Sequence, residues 1–151
     1  MADKVCDRCE KSLPKKDFEG HRKVCRPCGL SLANIAKSSS PYKYLKNLWN
    51  QLKYSREKEE GMLFEITPEQ LNDLWDKQDG RCALSGIFMT WQKGGEKRNT
   101  NVSIDRIDPN TEYTITNIQL VCWRVNLIKH TMTEDELYWW CKNIVTHKEN
   151  F

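Results

Sequence analysis

Apolar positions recur at helical spacing in three stretches of this chain. Leu45, Leu48, Trp49 and Leu52 fall at i, i+3, i+4 and i+7, which predicts an amphipathic helix. Ser40-Pro41 is its start signal: a hydroxyl cap, then a proline where a missing N–H costs nothing. Ser38-Ser39-Ser40 reads as a short joint before it, and Gly61 as its end. A shorter helix is expected after Thr67-Pro68-Glu69-Gln70, a capping box, with Leu71, Leu74 and Trp75 inward and Gly80 closing it. The third opens at another capping box, Thr133-Glu134-Asp135-Glu136, and carries Leu137, Trp140, Cys141 and Ile144 as one apolar stripe. His147 near its end suits the helix dipole and indicates no chemistry. Between the helical stretches, Met62–Ile66 and Ile87–Trp91 read as extended runs.

Residues 102–130 follow a different pattern: a strand-like run, a turn, a second strand-like run and a helix. Side chains alternate along VSIDRI, so Asp105 faces opposite to Ile104 and Arg106 up to the turn at Asp108-Pro109. On the predicted helix Asn126 and His130 stand at i, i+4 and share a face, with Lys129 beside them. A carboxylate, an amide oxygen and an imidazole are acceptable ligands for Mg2+ or a similar hard ion, and Lys129 or Arg106 suits a phosphate. Each residue also has a plainer role. Asp105-Arg106 makes a surface pair, Asp108-Pro109-Asn110 a turn, Asn126 a local backbone cap, and a lone helical His is usually not a ligand.

The cysteines divide the chain further. Cys6-x2-Cys9 and Cys25-x2-Cys28 give the C-x2-C-x15-C-x2-C spacing of a four-thiolate zinc site. The residues between are mostly polar, with Leu13, Phe18 and Val24 as the sizeable apolar groups, so metal binding is expected to supply the folding free energy. His21 is an alternative ligand that four cysteines make unnecessary, and a closed thiolate shell suits a structural rather than a catalytic metal. Lys15, Lys16, Arg22, Lys23 and Arg26 fit the module either to nucleic acid or simply to bracing the next helix. Cys82-Ala-Leu-Ser85 and Cys122-Trp-Arg-Val125 have the outline of two more knuckles, each short of one cysteine. No metal is expected there, and Cys82, Cys122 and Cys141 are read as buried small hydrophobes.

Composition narrows the class. Hydrophobic residues make up 38% and charged residues 30% of the 151, so the core is modest, and the six Trp are expected to supply much of it. No apolar run reaches membrane-span length and the first residues have no signal-peptide core, so a soluble cytoplasmic protein is expected. Residues 1–60 hold 14 Lys/Arg against 8 Asp/Glu, and residues 61–151 hold 10 against 13. A basic front suits a polyanion and an acidic back suits a metal site; ordinary solvated surfaces share the pattern. Lys46 and Lys53 on the first helix, with Lys97 and Arg98 in the polar loop at 92–101, are the candidate phosphate contacts.

CALSG, SIDRIDP and NIQLVCWRVNLIK together resemble the HNH nucleases with a ββα-metal core, particularly phage-type recombination endonucleases, over about residues 81–130. The N-terminal module is similar to the zinc knuckles that often precede such domains. The resemblance implies an α+β fold: a four-cysteine module at 1–37, a basic helical linker at 38–61, and an HNH-like domain at 62–151. It puts Asp105 at the metal-binding Asp, Asn117 at the loop-ordering Asn, Asn126 at the metal-binding helix position and Lys129 at a basic position after it. It implies hydrolysis of DNA, double-stranded or branched, with structural Zn2+ and catalytic Mg2+ or Mn2+; oligomeric state is left open, a dimer being one option. Arg106 stands where the family has its general-base His, and Arg stays protonated at neutral pH. Three readings follow. Arg106 clamps the phosphate while bound water or His130 handles the proton; or the register shifts so that Asp108 holds the base position; or catalysis is lost and nucleic-acid binding kept.

Overall fold

A computed structural model of the chain describes residues 3–93 and 99–150. At the front, strands β1 (Lys4–Val5) and β2 (Ser12–Leu13) pair antiparallel, Lys4 opposite Leu13 and Val5 opposite Ser12. Helix α1 (Arg26–Lys37) starts inside the second cysteine turn, with Cys25 as its N-cap and proline in its first turn. This helix was not among those the apolar spacing predicted. None of its residues is buried, and Leu30, Leu32 and Ile35 lie exposed. The module's own core is Cys6, Phe18 and Cys25, with Leu13 and Val24 packed against them.

Helix α2 (Pro41–Lys53) begins as expected, the Ser40 hydroxyl accepting from the Lys43 N–H at 3.2 Å. It continues through a wider turn at Tyr54–Glu59, and Gly61 follows at φ +66°. Leu45 is fully buried in the main core, and Leu48, Trp49 and Leu52 pack on it. The segment expected to act as a linker is therefore part of that core. Helix α3 (Pro68–Lys77) has the predicted capping box and buries Leu71 and Trp75. Gly80 follows it at φ +64°, where a Cβ would stand 3.0 Å from the Trp75 ring, so glycine is required for both reasons.

The two extended runs do not become strands. Met62–Ile66 makes a single bridge, Phe64 to Tyr113, and Ile87–Trp91 makes bridges at Phe88 to Arg81 and Thr90 to Asn101. In the second run the buried Asn101 amide reinforces the backbone bridge. Its Oδ1 accepts from the Thr90 hydroxyl and Gln92 N–H, and its Nδ2 donates to the Gln92 carbonyl.

The sheet that matters is the hairpin of β3 (Val102–Arg106) and β4 (Ile118–Cys122), antiparallel with Asp105 opposite Gln119. Helix α4 (Trp123–Lys129) leaves β4 directly, completing a strand–strand–helix unit. Every residue of β4 is buried, because its two faces meet the α2/α3 core and α4. Helix α5 (Glu134–Glu149) carries the predicted capping box, but of its stripe only Leu137 is buried. Cys141, expected inside, is exposed, as are Trp140 and Ile144. The tryptophans divide accordingly: Trp75 is buried, Trp49 and Trp91 pack at the core's edge, and Trp139 and Trp140 are outside. The fold is α+β, and no helix among the described residues is long and apolar enough to cross a membrane.

Candidate active site and metal centre

A cleft of about 500 Å3 opens where the end of β3, the end of α4 and the turn after α2 converge; Asp105, Arg106, Asn126, His130, Arg56 and Tyr113 line it. Asp105 is only 5% exposed, and its charge is met from inside the protein. The ammonium of Lys129, wholly buried, lies 3.3 Å from Oδ1 and 3.2 Å from Oδ2 of Asp105, and donates to the Arg106 carbonyl at 2.6 Å. Gln119, directly across the hairpin, donates from Nε2 to Asp105 Oδ2 at 3.0 Å and to Glu134 Oε1 at 2.7 Å. One amide thus holds two carboxylates. Lys129 was expected to contact nucleic acid; buried beneath Asp105, it cannot reach a polyanion. A carboxylate offers about four lone-pair directions. Lys129 and Gln119 each hydrogen-bond one oxygen, which leaves lone-pair capacity for the cleft.

Asn126 is oriented without ambiguity. Its Nδ2 donates to Ser103 Oγ at 2.7 Å and to the Ile104 carbonyl at 3.2 Å. A carbonyl can only accept, so Nδ2 must face it, and the amide oxygen is left to the cleft. His130 is not on the helix. It is the residue after α4, at φ 49° and ψ −111°, so it does not share a helical face with Asn126 as the spacing predicted. It is exposed, with Nδ1 3.3 Å from the Thr131 hydroxyl.

Arg106 lines the cleft and spends one donor on the Thr111 carbonyl at 2.9 Å, its guanidinium 5.0 Å from the Tyr113 ring. A second guanidinium, Arg56, is paired with Glu60, and its Nε is buried with no hydrogen-bond partner among the described residues. Asp108 does not line the cleft; its Oδ1 accepts from the Asn110 N–H at 2.9 Å and so shapes the turn. The reading that gave Asp108 the base position loses its geometry. Asn117 ties down the same loop, accepting from the Asp108 N–H and donating to the carbonyls of Asp108 and Glu112 and to the Thr111 hydroxyl.

Of the outlying basic residues, Lys46 is exposed, and Lys53 lies 5.1 Å from the Trp49 ring and 3.6 Å from Glu57; neither lines the cleft. Lys97 and Arg98 lie outside the described residues. Gln119 and Glu134 were missed because nothing in IQLVC or in a capping box marks a residue that will face a carboxylate across a hairpin.

At the other end, the sulfurs of Cys6, Cys9, Cys25 and Cys28 all lie within 4.8 Å of one another, with Cys9 and Cys25 at 3.9 Å. Tetrahedral zinc bonds of about 2.3 Å put sulfurs about 3.8 Å apart, so the cluster could hold such an ion. The thiols are opposed to one another. Cys6 is pulled down to about 6, first by the Cys25 N–H 3.3 Å away and then by that of Cys9. Cys28 is pushed up to about 12, first by its hydrogen bond with the Cys25 sulfur and then by burial. Four thiolates in this space need a cation to coexist.

No protein-family model matches the chain, and no curated protein matches it. Among solved structures, the rare-cutting HNH restriction endonuclease PacI, studied for its perturbation of DNA, aligns over 98% of this chain and 99% of that one, with a TM-score of 0.49 and 20% identity.

Proposed function

We propose that the chain is a metal-dependent endonuclease that hydrolyses phosphodiester bonds in DNA at the β3/α4 cleft, on an HNH-type site. The observation that carries this reading is the convergence in one cleft of Asp105, the oriented Asn126 oxygen, His130 and two guanidiniums. One carboxylate lone pair and one amide oxygen suit Mg2+ or Mn2+, which keeps most of its water and, when bound, stabilises charge on the leaving oxygen. Arg106 and Arg56 line the cleft and would supply positive charge to the phosphate, Arg56 sharing its charge with Glu60. His130 is the imidazole of the cleft and the residue able to accept a proton from the attacking water. Zn2+ in the four-cysteine cluster is structural.

The test is nicking of supercoiled plasmid with Mg2+ or Mn2+. Asp105→Ala is a poor probe, since it strands the Lys129 ammonium in the interior at a cost of about 3–5 kcal/mol. Asp105→Asn also removes the counter-charge but keeps the side chain's size and one acceptor oxygen for the Lys129 ammonium, which makes it the milder variant. It and Asn126→Ala are expected to lose cleavage by on the order of a hundredfold or more, with the circular dichroism spectrum retained. Arg106→Ala should lose cleavage while metal still binds; unchanged cleavage in that variant ends its role as a clamp.

A second reading, non-catalytic nucleic-acid binding, is favoured by one specific observation: Lys129 already supplies Asp105 with the positive charge that a metal ion would bring. Tight, salt-sensitive binding with no cleavage under either metal would select it.

A further inference from the structure

Helix α5 leaves the body after its first turn, and beyond Leu137 its apolar side chains have no cover: Tyr138 is 68% exposed, Trp140 54% and Ile144 64%. Glu134, Tyr138, Cys141, Val145 and Lys148 are spaced 4, 3, 4, 3, the spacing that keeps side chains on one seam of a packed helix pair. That seam is self-complementary when the helix is laid against a reversed copy of itself. With Cys141 on the symmetry axis, Cys141 meets Cys141, Tyr138 meets Val145, and Glu134 meets Lys148. The charge pattern has the same sense. The first half of α5 holds Glu134, Asp135 and Glu136 and no basic residue; the second half holds Lys142, His147 and Lys148 against Glu149 alone. Reversed packing also sets each helix's positive dipole end beside the other's negative end.

From this the structure assigns α5 as a dimer seam: two copies of the chain associate through antiparallel α5 helices crossing at Cys141. An isologous contact of this kind closes and leaves no further copy to add. A pair of 16-residue helices makes a small contact beside the roughly 800 Å2 per partner of a standard stable complex. The dimer therefore exchanges with monomer, and its population rises with protein concentration. The inference does not depend on the nuclease reading: Glu134 alone touches the site, through Gln119, and no seam residue lines the β3/α4 cleft.

The test uses the full, metal-loaded chain. Sedimentation velocity over a hundredfold range of concentration should show monomer passing to dimer and stopping there. Mild oxidation with oxidised glutathione, which takes the two electrons released as two thiols join, should give a disulfide-linked dimer that Cys141→Ser abolishes. Val145→Asp should shift the sedimenting species to monomer with the helical spectrum unchanged. The orientation is read in a Cys141→Ser background. Tyr138→Cys mixed with Val145→Cys should cross-link faster than either alone, and Asn143→Cys, on the opposite face, should lag behind wild-type Cys141. A monomer at every concentration overturns the proposal. So does a dimer indifferent to Val145→Asp, or a Tyr138→Cys chain that prefers its own kind, which is the signature of parallel packing.

Discussion

The chain has cysteine turns in two places, and comparing them separates what the backbone does from what the metal does. In the front module the Cys6 N–H donates to the Lys11 carbonyl at 3.0 Å and the Glu10 N–H to the Cys6 carbonyl at 2.8 Å, with Glu10 at φ 58°. In the main domain the Cys82 N–H donates to the Ile87 carbonyl at 2.9 Å and the Gly86 N–H to the Cys82 carbonyl at 2.9 Å, with Gly86 at φ 68°. It is the same turn. Around the first lie three buried groups and four partly buried ones; around the second lies the larger apolar cluster of the described residues. Where a core exists, the same backbone turn stands with one cysteine in each pair. Where none exists, all four cysteines are present.

The two cysteines of the second pair are shifted in opposite directions, as Cys6 and Cys28 are in the first. Burial pushes Cys122 up to about 11, and the neighbouring Cys82 sulfur adds to that. Burial also acts on Cys82, but the Ser85 hydroxyl and the N–H groups of Cys122, Ser85 and Leu84 outweigh it and lower that thiol.

Removing metal is the most severe way to test the comparison. A strong chelator, or Cys6→Ser, should unfold residues 3–37 and leave the main domain standing, since zinc supplies about 10 kcal/mol or more to such modules. Amide spectra should collapse for the front residues alone; a front module still ordered without metal would refute the contrast. Less drastic is the attempt to refill the second pair. Ser85→Cys with Val125→Cys should raise bound zinc from one equivalent to two and lift the melting temperature by about 5 °C or more. A stoichiometry that stays at one would mean the two turns no longer converge as a knuckle pair must. The smallest effect lies in the turn residue itself. Gly86→Ala should destabilise the main domain by about 1 kcal/mol, and Glu10→Gly should stabilise the front module by a similar or smaller amount, because only the first replaces glycine at positive φ. Denaturant midpoints that moved the other way would break the equivalence.

What could be read from the sequence was local. Ser40, Thr67 and Thr133 announce helix starts because a cap involves residues three apart, and the structure shows each of these bonds. The order strand, turn, strand, helix at 102–130 is likewise carried by alternation and a turn sequence. Helix α1 escaped because its first turn is spent on cysteine ligands and its apolar residues make no buried stripe. Lys129 escaped because a lysine at a helix end reads as surface; only Asp105, brought under it by the hairpin, makes burial tolerable. For α5 the stripe was legible and its exposure was not, since a periodicity says which side is apolar and not what will cover it.

His130 carries a consequence of a different kind. An L side chain rarely adopts φ 49° with ψ −111°, and holding one there costs on the order of 1–3 kcal/mol, which a glycine would avoid. Any search for a more heat-resistant version of this protein, scored on stability alone, would select glycine at position 130 early. It would thereby delete the imidazole from the cleft. Durability and chemistry are opposed at this position, and a histidine kept there through such a search would measure what the cleft requires of it.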